Sequence, residues 1–211
     1  GKGGYGDRDP GGAERGPMSD PQPPDAVKLM ASLFSGDDRL LGDAVRILSE
    51  RYGRADFISA PAPFAYTGYY AKEFGGSLIR RFVAFERLIR PESLPDVKVW
   101  TNALEKRLSA EGQRRVNIDP GYLAMAHLIL ATGKGYAHRP YLRDGIYADL
   151  TLIYRDKSFH SLPWTYPDYA GGEVIGMLTR IRGKYRMQLK GNTAGEASVS
   201  DSDGEFFDEE F

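Results

Sequence analysis

Apolar positions along the chain fall into short continuous or alternating runs, interrupted by stretches of helical period. Residues Val27–Phe34 form an apolar run suited to a buried strand, and Ser35-Gly-Asp-Asp38 supplies turn and helix-capping groups. Leu41, Val45, Leu48 and Tyr52 then recur at helical spacing up to Gly53, a good helix stop. Ala55–Ser59 reads as a second strand, ended by Pro61 and Pro63. Leu78–Ile89 fits either period, and Pro91 close behind it favours a strand. A helix follows over Leu94–Ala110, with Val97, Thr101, Leu104 and Leu108 on one face, and it stops at Gly112.

Beyond that point the pattern turns to strands. Arg115–Asp119 and Tyr122–Ala131 flank Pro120-Gly121, read as a turn. Tyr136–Leu142 and Ile146–Arg155 flank Arg143-Asp144-Gly145, a hairpin signal. Strict alternation in the last of these places Ile146, Ala148, Leu150, Leu152 and Tyr154 opposite Tyr147, Asp149, Thr151 and Ile153. A terminal helix over Glu173–Lys190 carries Val174, Met177, Leu178, Ile181, Tyr185 and Leu189 as its apolar stripe. The order predicts an α+β fold: a ferredoxin-like split βαβ core, extended by further antiparallel strands and a C-terminal helix.

Composition divides the 211 residues into three parts. Residues 1–25 are rich in Gly, Pro, Asp and Ser and are expected to be a disordered extension, within which Met18 marks a natural start position. Residues 26–190 form a single α+β domain, and 191–211 a disordered acidic tail. The tail holds seven acids and no Lys or Arg, whereas residues 18–190 carry a net charge of +6. The chain has no cysteine, which excludes disulfides, thiolate catalysis and Cys-ligated metals, and fits a cytoplasmic setting. No apolar run is long enough for a membrane span, and no secretory signal is visible.

Four groups of polar residues bear on chemistry. Asp119, in Asn117-Ile-Asp-Pro-Gly-Tyr122, is a base or metal candidate, weighed against a plain Asx-turn. Lys134, His138 and Arg139 sit in one glycine-containing loop suited to receiving a phosphate, with His138 the best acid–base candidate; solvated surface is an equal reading. Arg80, Arg81, Arg87, Arg114 and Arg115 form a row in which strand alternation lets only one of each adjacent pair face a given surface. Of these, Arg81 and Arg115 are taken as anion-binding candidates, with structural pairing to Glu73, Glu86 or Asp149 as the alternative. Tyr66, Tyr69, Tyr70, Trp164, Tyr166 and Tyr169 supply aromatic faces, for stacking a base or for covering a sheet. Tyr66 and Trp164 are the ligand candidates of that group, and Asp149 joins His138 and Asp119 as a catalytic candidate. His127, His138 and His160 lack metal-ligand spacing, so no His-rich metal site is expected, and the sequence leaves the cofactor unknown.

The motifs Arg80-Arg-Phe-Val-Ala-Phe-Glu-Arg-Leu-Ile89, Arg114-Arg-Val-Asn-Ile-Asp-Pro-Gly-Tyr-Leu123, His138-Arg-Pro-Tyr-Leu-Arg-Asp-Gly-Ile-Tyr147 and Trp164-Thr-Tyr-Pro-Asp-Tyr169 resemble the bacterial domain-of-unknown-function family numbered 4416. The resemblance spans about Val27 to Lys190 and implies a small cytoplasmic bacterial protein, without supplying a catalytic residue. A GTP-binding label attached to some relatives finds little support here. The chain has neither a Gly-x4-Gly-Lys-Ser/Thr loop nor an Asn-Lys-x-Asp motif, and Gly133-Lys-Gly135 is only a fragment of the former.

The leading expectation is a domain that binds or acts on a phosphate-bearing small molecule or nucleotide. The alternatives are a nucleic-acid-associated module and a non-catalytic scaffold, with Glu205–Phe211 as a docking segment for a protein partner. The phenylalanines among the acids of that segment motivate the last.

Overall fold

Strand β1 (Lys28–Ser35) is buried at every position, as a strand covered on both faces must be. It belongs to a computed structural model that describes residues 20–64 and 77–200, with side chains as far as residue 191. Helix α1 (Asp38–Tyr52) follows, capped by the Asp37 carboxylate, which accepts from the Arg39 and Leu40 N–H groups. It ends where Gly53 takes a φ of +95°. The predicted stripe Leu41, Val45, Leu48 and Tyr52 is buried. Strands β2 (Ala55–Ile58) and β3 (Ala62–Phe64) both pair with β4 (Leu78–Phe85). Pro63 therefore lies inside a strand instead of ending one, and an edge position tolerates its missing N–H.

A 3-10 turn (Pro91–Ser93) leads into α2 (Leu94–Arg107). Strands β5 (Val116–Leu123), β6 (His127–Thr132), β7 (Tyr141–Arg143), β8 (Ile146–Arg155) and β9 (Ser158–Ser161) come next, then the short α3 (Pro167–Ala170) and the long α4 (Gly172–Ser200). Among the described residues all nine strands join one antiparallel sheet of order β2-β4-β1-β5-β6-β8-β7, with β3 on β4 and β9 on β8. Its first four columns are the split βαβ order, in which β4 separates β1 from the strand that follows its crossover helix. The predicted class, an α+β fold extended by antiparallel strands and a C-terminal helix, is the observed one.

Alternation along β1 feeds two cores. Leu29, Ala31 and Leu33 meet Leu41, Leu48, Val97 and Leu104 of α1 and α2 on one face. On the other face Met30 joins Phe82, Leu123, Leu128 and Leu152 beneath Met177, Leu178, Ile181 and Tyr185 of α4. Polar contacts fasten α4 there. The buried Lys28 ammonium donates to Asp56 at 2.6 Å and to Gln188 at 2.9 Å, and Tyr185 donates to the Ala26 carbonyl at 2.7 Å. Burying each large apolar side chain contributes on the order of 1.5–3 kcal/mol, so the two layers together dominate stability.

Four sequence expectations are corrected. Pro120-Gly121 is not a turn: β5 runs through it, and the chain reverses at Ala124–His127. The alternation expected in β8 breaks at Thr151. Leu128 faces Leu152 while the next residue, Ile129, faces Leu150, so Thr151 is the extra residue of a bulge. Ile146 and Leu150 consequently pack on the α2 side, whereas Leu152 and Tyr154 pack under α4. Of Tyr136–Leu142 only its end is strand, within Tyr141–Arg143; Tyr136 and Arg139 close a separate tight bridge. Helix α4 continues past Lys190 to Ser200, where disorder was expected; no proline interrupts its hydrogen bonding. The expectations for residues 1–19, Tyr66, Tyr69, Tyr70 and the segment Glu205–Phe211 lie outside the described residues.

Candidate functional site

The site arises from a split in the sheet. β5 pairs with β1 back to Val116, and β6 pairs with β8 out to Thr132, but β5 and β6 meet only where Gly121–Leu123 face Leu128–Leu130. Pro120 explains where they part, since it offers no N–H to extend the ladder. Gly121 explains how closely they cross before parting. A Cβ there would lie 2.3 Å from the Ile129 carbonyl oxygen and 2.7 Å from Leu130 Cδ2.

Helix α2 lies over this seam, with Val97 and Leu104 in the core beside β5 and Leu94 in the core beside β6 and β8. Lys98, Asn102 and Glu105 share one helical face by their i, i+4, i+7 spacing and reach through the split. Ile118, which has lost a strand neighbour on that side, is served by two of them. Its N–H donates to Glu105 at 2.5 Å, and its carbonyl accepts from Lys98 at 3.0 Å. Burial pushes the Glu105 carboxyl above its ordinary value, against the opposing pull of Lys98, the Ile118 N–H and Arg114.

On the face away from α1, the split opens into a cavity of about 520 Å³ between α2, β1, β4, β5, β6 and the segment leading into α3. Its walls are built from ion pairs. Arg80, almost fully buried, bonds Ser32 at 2.7 Å and Asp168, and its guanidinium lies 4.3 Å from the Phe82 ring centroid and 4.8 Å from that of Tyr169. Burial pushes the Tyr169 hydroxyl up to about 12, so it stays protonated. Asp119 faces Lys98 at 3.4 Å and accepts from Asn117 at 2.7 Å. Arg114 donates to Asn117 at 2.7 Å and lies 3.5 Å from Glu105. Asp149 accepts from Arg139 at 2.8 Å, and Arg139 reaches on to the Tyr166 hydroxyl at 3.2 Å. Phe34 and Phe64, stacked at 4.8 Å, form an aromatic wall.

Of the residues singled out from sequence, Asp119, Lys134, Arg139 and Asp149 line this one cavity, together with Arg80, Arg114, Tyr166 and Tyr169 of the arginine row and the aromatic group. His138 and Trp164 stand behind it. Their rings stack at 4.9 Å, His138 Nε2 lies 3.6 Å from Asp149, and the Trp164 indole donates to the Leu150 carbonyl. Arg81 and Arg115 are elsewhere, on the α1 side, bonded to Asp38 and Asp37. The alternation argument thus holds for Arg80 and Arg81, but the inward member is Arg80. Asp119 is a mid-strand residue, not an Asx-turn residue, because the Pro-Gly pair beside it does not turn.

The sequence reading left out Ser32, Lys98, Asn102, Glu105, Thr132 and Asp168. One signal was available for two of them: Lys98 and Glu105 flank the apolar stripe of α2 as polar residues on its buried side. Nothing local marks Ser32 or Asp168, which meet Arg80 from far away in sequence. Among the described residues no group of three His, Asp or Glu side chains is arranged to hold a metal ion. Nor is any described helix long and apolar enough to cross a membrane.

No curated protein and no solved structure matches the chain. A family model does, over residues 25–185, which include every strand, every helix lining the cavity and all the cavity's paired charges. The protein belongs to the family described as Domain of unknown function (DUF4416).

Proposed function

We propose that the cavity binds a small phosphate-bearing molecule. The observation that carries this reading is convergence: Arg80, Lys98, Arg114, and the pair Lys134 and Arg139 come from four separate segments to one cavity. Guanidinium and ammonium groups gathered in a partly enclosed site are the ordinary chemistry for holding a phosphate. Asp149 acts as a positioning residue, holding Arg139 toward the mouth, with Thr151 as its further partner at 3.3 Å. His138 stands behind the cavity wall and does not line it, so the reading is one of binding and assigns no reaction. The absence of cysteine supports placing this activity in a reducing, cytoplasmic setting.

Thermal-shift screening with nucleotides, sugar phosphates and inorganic phosphate tests the proposal, followed by titration of each hit against Lys134→Met. At least one phosphate compound is expected to raise the melting temperature, with affinity falling about tenfold in the variant, or about 1.4 kcal/mol. The proposal is lost if no phosphate compound stabilises the protein, or if binding is indifferent to Lys134.

A further inference from the structure

The charges lining the cavity restrict what it can hold. Five cations and four carboxylates line it among the described residues, a formal excess of one positive charge. Every carboxylate is already engaged: Asp168 by Arg80, Asp119 by Lys98 and Asn117, Asp149 by Arg139, and Glu105 by Ile118 and Arg114. The exposed Lys134 is the cation whose side chain meets no carboxylate among the described residues. It sits at the rim, where its carbonyl accepts from Arg139 at 3.2 Å. One unneutralised ammonium beside one guanidinium suits a single phosphate group, which carries about −1.5 to −2 charges at pH 7. A second or third phosphate would bring further charge inward with no unpaired cation to meet it among the described residues, and an uncompensated charge in a partly buried site is costly.

The interior asks for a hydroxyl-bearing body. Asn102 and Asp119 present a carboxamide and a carboxylate to the cavity, and the Asp119 side chain remains 40% exposed despite its contact with Lys98. A carboxylate next to a carboxamide accepts and donates to neighbouring hydroxyls at once. The stacked Phe34–Phe64 pair offers a flat face for the ring of a sugar or base. The volume of about 520 Å³ lies within the range that binds small metabolites.

We infer that the cavity selects a phosphate monoester carried on a hydroxyl-bearing ring, a sugar phosphate or nucleoside monophosphate, over the corresponding di- and triphosphates. The phosphate lies against Lys134 and Arg139, and the hydroxyls lie against Asp119 and Asn102. The inference rests on the binding proposed above and sharpens its ligand class.

Calorimetric titration of the full chain with ribose, ribose 5-phosphate and adenosine mono-, di- and triphosphate tests it. Ribose 5-phosphate or adenosine monophosphate is expected to bind at least tenfold more tightly than ribose and than the triphosphate. Lys134→Met is expected to erase the margin over ribose, and Asp119→Asn to weaken ribose 5-phosphate and ribose alike. Affinity that rises from mono- to triphosphate overturns the selectivity while leaving phosphate binding intact. No binding by any of the five overturns both.

Discussion

The carboxylate of Glu105 accepts the main-chain N–H of Ile118 at 2.5 Å, doing for the edge of β5 what a neighbouring strand does elsewhere in the sheet. Lys98 serves the carbonyl of the same residue. Without these two side chains, the split that opens the cavity would leave a buried peptide group unpaired, at a cost of about 1–3 kcal/mol. The sheet can therefore part at β5 and β6 because α2 supplies the missing hydrogen bonds.

Replacing that acceptor tests the account. Glu105→Ala is expected to destabilise the protein by about 1–3 kcal/mol, and Glu105→Gln by less, because the amide oxygen still accepts from Ile118. Urea denaturation midpoints of the two variants check the ordering. Equal losses would show that the hydrogen bond is not what matters.

Glu105 also predicts a pH dependence. Burial raises its folded-state pKa above the ordinary value of 4.5, so between these two values the folded chain holds a proton there that the unfolded chain has released. This contribution is fully present below pH 4.5 and is lost as pH rises through the raised folded value. The neutral Glu105→Gln variant lacks the effect. Its stability relative to wild type is therefore expected to improve as pH rises from about 4.5, measured by denaturation at a series of pH values. A difference that is flat with pH would remove the buried proton from the account.

Gly121 is expected to resist substitution. A methyl group there meets the Ile129 carbonyl oxygen at 2.3 Å, a backbone atom that cannot swing aside. Gly121→Ala should cost about 1–3 kcal/mol or more, by forcing β5 and β6 apart. The denaturation midpoint reports the loss, and a shift of only a few tenths of a kcal/mol would mean the strands give way freely.

Arg80 and Asp168 should behave as a coupled pair, since their side chains are only 8% and 11% exposed. Asp168→Ala leaves a buried guanidinium without its counter-charge and is expected to cost about 3–5 kcal/mol. Adding Arg80→Met to that variant should recover part of the loss, because an apolar side chain suits the rings of Phe82 and Tyr169. Additive losses in a double-mutant cycle would deny the coupling.

Much of the fold was legible because it depends on local periodicity. The α1 stripe Leu41, Val45, Leu48 and Tyr52 and the α4 stripe Met177, Leu178, Ile181 and Tyr185 are buried as their spacing predicts. Pro120-Gly121 misled for a definite reason. The same two residues that make a good turn also make a good end to a strand ladder, and only the presence of β6 across from Gly121 decides between them. The Thr151 bulge was hidden likewise, because an extra residue in a ladder is defined by its partner strand and leaves no mark in the residue types of its own strand.

The candidate site divides along the same line. Asp119, Lys134, Arg139 and Asp149 stood out by residue type and loop position, and they share a cavity. Which arginine of Arg80-Arg81 faces it depends on strand register: Arg80 lies opposite Phe34 on the α4 side, and Arg81 opposite Leu33 on the α1 side. Lys98, Glu105 and Asp168 became site residues only when α2 was laid over the seam and α3 brought Asp168 to Arg80, across 88 positions of sequence. Sequence alone determined the two long core helices, most of the strands, the family and the basic character of the folded part, because each is carried by residue type and short-range spacing. The tertiary structure decided where the sheet splits and which charges remain unpaired within it, because both depend on groups that only folding makes neighbours.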